Sequence, residues 1–261
     1  MAQVAVQDVS TGSADATTVD VTHIVNSDEG LVVGVVLEIA DDTSKEVASV
    51  VWDTTGVNEA LTLFDTFSPT HGKLRLEVYR RTRPTAATAI VRTTIDEGNS
   101  QKTGVTCVSV TNMSTSTPLE GAVEQEGTGS TGSVSVTQEA DDLAFCFAGH
   151  LQATSSFEPL SGESEHADFF IESVFACWAA SEDGTTATTL GFTQAESKEF
   201  SILGFNINSD TAEVPGGTNY DMRSYPRSNL RGVMRGVMGL LPFQNSTDEV
   251  GYEWLKNVNL A

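Results

Sequence analysis

Apolar and polar positions alternate with period two along much of this chain. Leu74, Leu76 and Val78 are interleaved with Arg75, Glu77 and Tyr79, the pattern of a strand that turns one face inward. Residues 31–39 (LVVGVVLEI) are almost continuously apolar, as expected of a central strand covered on both faces. Further runs of strand type occupy 19–25, 47–52, 73–80, 88–95, 105–110, 133–137, 143–148, 169–179 and 200–207. Thr, Val and Ser dominate them, and β-branched side chains suit a pleated surface. Turn signals separate them at Asp28-Glu29-Gly30, Thr54-Thr55-Gly56, His71-Gly72, Glu97-Gly98-Asn99, 126–132 and 181–184. Many short strands at this spacing, with hardly a helical pattern among them, predict an all-β sandwich or barrel.

Two segments depart from the pattern. Residues 153–168 (ATSSFEPLSGESEHAD) are polar and acidic and contain Pro159, which predicts a long exposed loop. Residues 208–219 (NSDTAEVPGGTN) read as a linker, and 222–243 then carry four arginines and no acid. Within that stretch Leu230, Val233, Met234, Val237, Met238 and Leu241 fall on one helical stripe. Gly232, Gly236 and Gly239 weaken such a helix by about 1 kcal/mol each relative to Ala, so it needs a partner surface.

Charge sharpens this boundary. The chain has 36 acidic and 14 basic residues and a formal net charge of −22. Residues 1–207 hold −21 of it, whereas 222–243 are +4. So acidic a body repels phosphates, which argues against direct nucleic-acid binding. Cys107, Cys146 and Cys177 are odd in number and widely spaced, which predicts buried thiols rather than a disulfide framework or zinc site. The first residues lack the basic and apolar regions of a signal peptide, and no apolar run approaches the length of a membrane span, so no membrane association is expected.

The runs LVVGVVLEI (31–39), ASVVWDTTGVNEALTLF (48–64), LRLEVYRRTRPTAATAIV (74–91), VSVTNMSTSTPLEG (108–121), SVSVTQEADDLAFCFAG (133–149) and WAASEDGTTATTLGF (178–192) form a series. This series resembles the concanavalin-like jelly-roll domains of phage structural proteins and bacterial surface proteins. Those place a strand with a VVGV core before a hairpin ending in ALT, and a TPLG-like turn after a later strand. The chain departs from them at Trp52, Asp53, Thr54, Thr55 and Gly56, where the family often has tyrosine and two glycines. The resemblance covers roughly 18–207 and implies an antiparallel two-sheet jelly roll there. Residues 1–17 are then an N-terminal arm or edge strand, and 208–261 a linker and an extended, partly helical C-terminal arm.

Candidate chemistry is sparse. Glycosidases on such sandwiches align carboxylates along one strand. The nearest grouping here is Glu163, Glu165 and His166 near Asp168, assigned to a solvated loop, while Glu172 is a lone strand carboxylate. His23, His71, His150 and His166 lack metal spacing, Asp41-Asp42 and Asp141-Asp142 read as turns, and no G-x-S-x-G elbow is present. No catalytic, cofactor or metal residue is assigned. Arg223, Arg227, Arg231 and Arg235 recur every four residues and, with Leu230, Val233, Met234, Val237, Met238 and Leu241, form a candidate protein–protein interface. The resemblance and this arm together imply a non-enzymatic virion component assembled in a host cytoplasm. The expected role is a capsid decoration or cement protein packing against its own copies and the major capsid protein. The alternative is a tail or receptor-binding protein whose lectin-like sandwich binds a host glycan.

Overall fold

The structure is a computed structural model that describes residues 3–39, 44–96, 101–151, 155–171, 175–184 and 187–210. The described residues are all-β, without helices. In chain order the strands are β1 (Ala5–Ala16), β2 (Thr18–Val25), β3 (Gly30–Glu38), β4 (Val47–Trp52) and β5 (Glu59–Ala60). They continue with β6 (Thr62–Phe67), β7 (Leu74–Arg81), β8 (Ala87–Ile95), β9 (Gln101–Thr111) and β10 (Leu119–Thr137). The last are β11 (Leu143–Leu151), β12 (Glu158–Pro159), β13 (Ser164–Ile171), β14 (Phe175–Asp183) and β15 (Ala187–Ile207).

These strands form three antiparallel sheets, where the sequence reading expected two. Sheet A has the order β1-β9-β3-β7-β6, sheet B the order β2-β8-β4-β5, and sheet D the order β10-β15-β11-β14-β13, with β12 paired to β15. Sheet A is the middle layer. Leu31, Val33, Val35 and Leu37 of β3 join Val19, Val21, Val50, Trp52 and Val91 in one core against sheet B. Val32 and Val36, on the opposite face, join Phe145, Phe147, Phe205 and Leu76 in a second core against sheet D. The alternation read at 74–79 therefore divides two interiors rather than core from solvent. Tyr79 packs on the sheet B side. Glu77, 2% exposed, is paired there with Arg75 Nε at 2.7 Å and accepts from the Tyr79 hydroxyl at 2.6 Å and the Val47 amide at 3.2 Å.

Close approach of sheets A and D depends on positions without side chains. A Cβ at Gly34 would lie 2.5 Å from the Phe147 ring, and one at Gly104 would lie 2.3 Å from Cys177 Sγ. The missing atoms are the space into which Phe147 and Cys177 pack.

A third core lies on the outer face of sheet D. The hairpin ribbon of β10 and β15 breaks register between Gly129 and Thr131, so that 119–129 pair with 207–198 and 131–137 with 193–187. Val134 and Val136 of the distal half lie against Gly204 of the proximal half, so the ribbon folds back on itself. It thereby brings Val134, Val136, Leu190 and Phe192 over Cys146 and Trp178. The Phe200 ring fills the bend, within 2.9 Å of where Gly127 and Gly132 would each place a Cβ.

Three readings are corrected here. The stretch 126–132 is inside β10, because its glycines let a bent ribbon wrap Phe200 rather than open a turn. The run 169–179 is not one strand: β13 ends at Ile171 and β14 begins at Phe175. The loop read at 153–168 is largely structured, since Phe157 is buried, Glu158–Pro159 pairs with β15 and β13 starts at Ser164. β1 is the edge strand of sheet A, paired along its length with β9. The three cysteines are buried and free, and burial pushes each thiol up.

Substituting Gly34→Ala should destabilise the fold by about 1–3 kcal/mol through overpacking. Combining it with Phe147→Leu should cost less than the two changes summed, because a smaller side chain makes room for the methyl group. Denaturant midpoints of the four proteins measure this. Additive losses would mean that Gly34 is not required for the ring's seat.

Candidate functional site

The arm residues Arg223, Arg227, Leu230, Arg231, Val233, Met234, Arg235, Val237, Met238 and Leu241 lie outside the described residues, as do Glu172, Asp41 and Asp42. The acidic group around Glu163 is described, and it is built differently from a solvated loop. Among the described residues β13 is an end strand of sheet D. Its register with β14 slips between Glu165 and Ala167, which leaves His166 as the extra residue of a β-bulge. The bulge aims His166 at the Ser181 hydroxyl, 2.7 Å away, and stacks its ring on Phe145 at 5.6 Å and 8°. Ser181 is 4% exposed, so the pair ties two strands together and offers no accessible nucleophile.

Each carboxyl here has a separate local task. Glu163 accepts the Gly191 amide at 2.7 Å, and its other oxygen is buried without a donor. Burial pushes its carboxyl up to about 7, the Gly191 and Leu160 backbone contacts oppose that, and the nearby charge of Glu182 adds to it. Glu182 lies over Gly162, whose φ is +105° and whose Cβ would lie 2.7 Å from the carboxylate. Glu165 accepts from the Trp178 indole at 3.2 Å. Asp168 accepts the Phe157 amide at 3.1 Å, and burial raises its carboxyl. These groups order the segment from β12 to β13; they are not two acids opposed across a cleft.

The remaining candidates are dispersed. His23 is buried, 3.0 Å from the Ser10 hydroxyl and 3.4 Å from Asp8, with its Nε2 unpartnered. His71 contacts the Ser201 hydroxyl at 3.1 Å, and His150 lies between the carbonyls of Leu151 and Gly129. Asp142 accepts from Asn206 at 2.8 Å and from the Ser209 amide at 2.7 Å, which makes it a buried structural carboxylate. Among the described residues no three His, Cys, Asp or Glu side chains converge as a metal site.

Charge segregation is the feature that the residue-by-residue reading missed. Residues 103–197 contain fourteen acids and no Lys or Arg. They supply β10 to β14 and the start of β15, so sheet D carries a large net negative charge, with Lys198 the one cation in its strands and Lys73 reaching Glu199 at 2.6 Å. The cations of 1–102 are largely committed within the body: Arg75, Arg81, Arg92 and Lys102 pair with Glu46, Glu59, Asp20 and Glu38. The signal was present in the sequence as a gap between Lys102 and Lys198. No family model matches the chain, and no curated protein matches its sequence.

Protonation acts in two directions. Burial lowers His23, His150 and His166. Stability from these neutral rings is fully present above the unfolded value of about 6.5 and is lost as pH falls below it through the lowered folded values. Glu163 is raised, so its favourable protonated form is lost as pH rises from the ordinary carboxyl range through about 7. Glu163→Gln should therefore be more stable than the parent at pH 8, by about 1 kcal/mol once solvent screening of a half-buried group is allowed for. The difference should vanish by pH 5. Thermal midpoints at the two pH values test this, and a Glu163→Gln protein less stable at pH 8 would contradict it.

Proposed function

We propose that this chain is a virion structural protein, a decoration or cement protein of a phage head that works by packing. Its partners in this reading are copies of itself and other virion proteins, the major capsid protein first among them. The jelly-roll reading fits sheets A and D, which face each other across the aromatic core of Phe145, Phe147 and Phe205. The observation that carries the proposal is electrostatic. A body of net −21 repels its own copies, and residues 222–243 supply four arginines, no acid and an apolar stripe.

Residues Leu230, Val233, Met234, Val237 and Met238 contribute the larger share of such a contact. Each fully buried apolar side chain is worth roughly 1.5–3 kcal/mol against ordering costs of similar size. Exposed arginine–carboxylate pairs are worth at most about 1 kcal/mol each. Arg223, Arg227, Arg231 and Arg235 then set approach and register more than affinity.

The cut that separates body from arm belongs after Ala212. Residues 208–210 are fastened to the body through the Ser209 amide on Asp142 and the Asp210–Arg83 pair at 3.0 Å. A chain truncated after Ala212 should keep its β-type circular dichroism but sediment as a monomer and fail to bind particles. The variant Arg227→Gln/Arg231→Gln/Arg235→Gln should weaken assembly mainly at low salt. Normal assembly of the truncated chain would overturn the proposal.

A further inference from the structure

β13 is the end strand of sheet D, and among the described residues it pairs on one side only, with β14. An end strand presents backbone donors and acceptors to whatever approaches it. The register places Glu165 opposite Ala180, Asp168 opposite Trp178 and Phe170 opposite Ala176. Ala180, Trp178 and Ala176 belong to the outer core of sheet D. Glu165, Asp168 and Phe170 therefore stand in one row on the outer face of the edge strand.

Two properties distinguish this row. Phe170 is 39% exposed, and it is the one aromatic among the large apolar side chains that stand open to solvent in the described residues. The surrounding chain from 103 to 197 has no cation, so nothing nearby in sequence balances Glu165, Asp168 and Glu182. An apolar side chain flanked by unbalanced carboxylates on an open strand fits a partner segment with the opposite character: cationic, apolar and free of acids. Residues 222–243 have that composition, with arginines every fourth residue and apolar side chains between them.

We infer that the β13 edge, through Glu165, Asp168 and Phe170, is the surface that receives residues 222–243 of a second copy of this chain. The inference rests on the assembly role proposed above and names its receiving site. Phe170 supplies the apolar contact, and the carboxylates select arginine forks and exclude the acidic parts of other copies. Asp168 is half-buried and holds the Phe157 amide, whereas Glu165, which accepts from the Trp178 indole through one oxygen, is exposed and is the row's more accessible anion. The opposite edge of sheet D, β10, is also acidic, but the exposed large apolar side chains do not include a residue of it.

The test uses the full-length chain. Glu165→Lys and Phe170→Ser are made separately, with Glu120→Lys on β10 as a control of equal charge change. Each is checked for parental circular dichroism and thermal midpoint, then assayed by sedimentation at low and high salt. Glu165→Lys should weaken self-association by about fivefold at low salt and less at high salt. Phe170→Ser should weaken it by about tenfold or more at both, and Glu120→Lys should leave it unchanged. A fourth variant, Arg227→Glu/Arg231→Glu/Arg235→Glu, should assemble poorly alone but co-assemble when mixed with Glu165→Lys, because each supplies what the other lacks. Parental assembly of both β13 variants, in a chain that loses assembly on truncation after Ala212, would overturn this inference and leave the arm's role standing. Equal weakening by Glu120→Lys would also overturn it, since overall charge and not the β13 edge would then be responsible. Assembly that survives the truncation would remove the reading on which it rests. Should Phe170→Ser not fold, the exposed Glu165→Lys change and the mixing experiment decide the matter.

Discussion

A sheet covered on both faces has to be filled with apolar side chains at every position, not at alternate ones. β3, the central strand of sheet A, meets that constraint, and the rest of the molecule is arranged around it. β3 is buried along nearly its whole length, and its two faces feed separate cores. A buried donor or acceptor without a partner costs about 1–3 kcal/mol, a cost the Ser109 hydroxyl of β9 bears. The one carboxylate that β7 carries into the sheet B side is accordingly met by a guanidinium, a phenol and a backbone amide. Glu77 thus joins β7 to β4 across two sheets, and burial beside that carboxylate pushes the Tyr79 hydroxyl up.

Sheet D solves a different problem. Its inner face is covered by sheet A, and its outer face is covered by its own longest hairpin, folded back at the glycines of β10. On the β13 side the ribbon's distal half contributes Gly191 and Phe192, which meet Glu163 and Pro159, and there the carboxyls and Phe170 accumulate. Glu163, Glu165, His166 and Asp168 fasten this border to β14, β15 and Phe157. A border held by single hydrogen bonds and half-buried carboxyls is more sensitive to pH than the aromatic core beneath it.

The distribution of charge follows the layers. Cations occur where sheets A and B are built, and they are spent on ion pairs within the body. The stretch that builds most of sheet D has none. Identical bodies bearing such a surface repel one another, so any contact between copies has to bring positive charge from elsewhere or cover the acids with apolar surface. Residues 222–243 combine both means, which is why the proposed role in assembly and the proposed edge site belong to one physical argument.

The sequence by itself determined the fold class and most strand positions, because period-two patterning and β-branched runs are local properties. The runs at 47–52, 73–80, 88–95 and 143–148 lie, to within a residue, inside β4, β7, β8 and β11, and LVVGVVLEI is the doubly covered strand that its composition implied. Cys107, Cys146 and Cys177 are buried for the same reason: they sit in runs that only an interior accepts. What tertiary structure alone decided was non-local. The sequence could not show that Leu76 and Tyr79 belong to different cores, since period two marks two faces but not what covers each. It could not turn Glu126 to Gly132 from a breaker into a bent strand, because Phe200, which fills that bend, lies far along the chain. The acids around Glu163 read as a solvated loop for a related reason. They are held by hydrogen bonds from Gly191, Trp178 and Phe157, and only pairing across the sheet brings those residues to them.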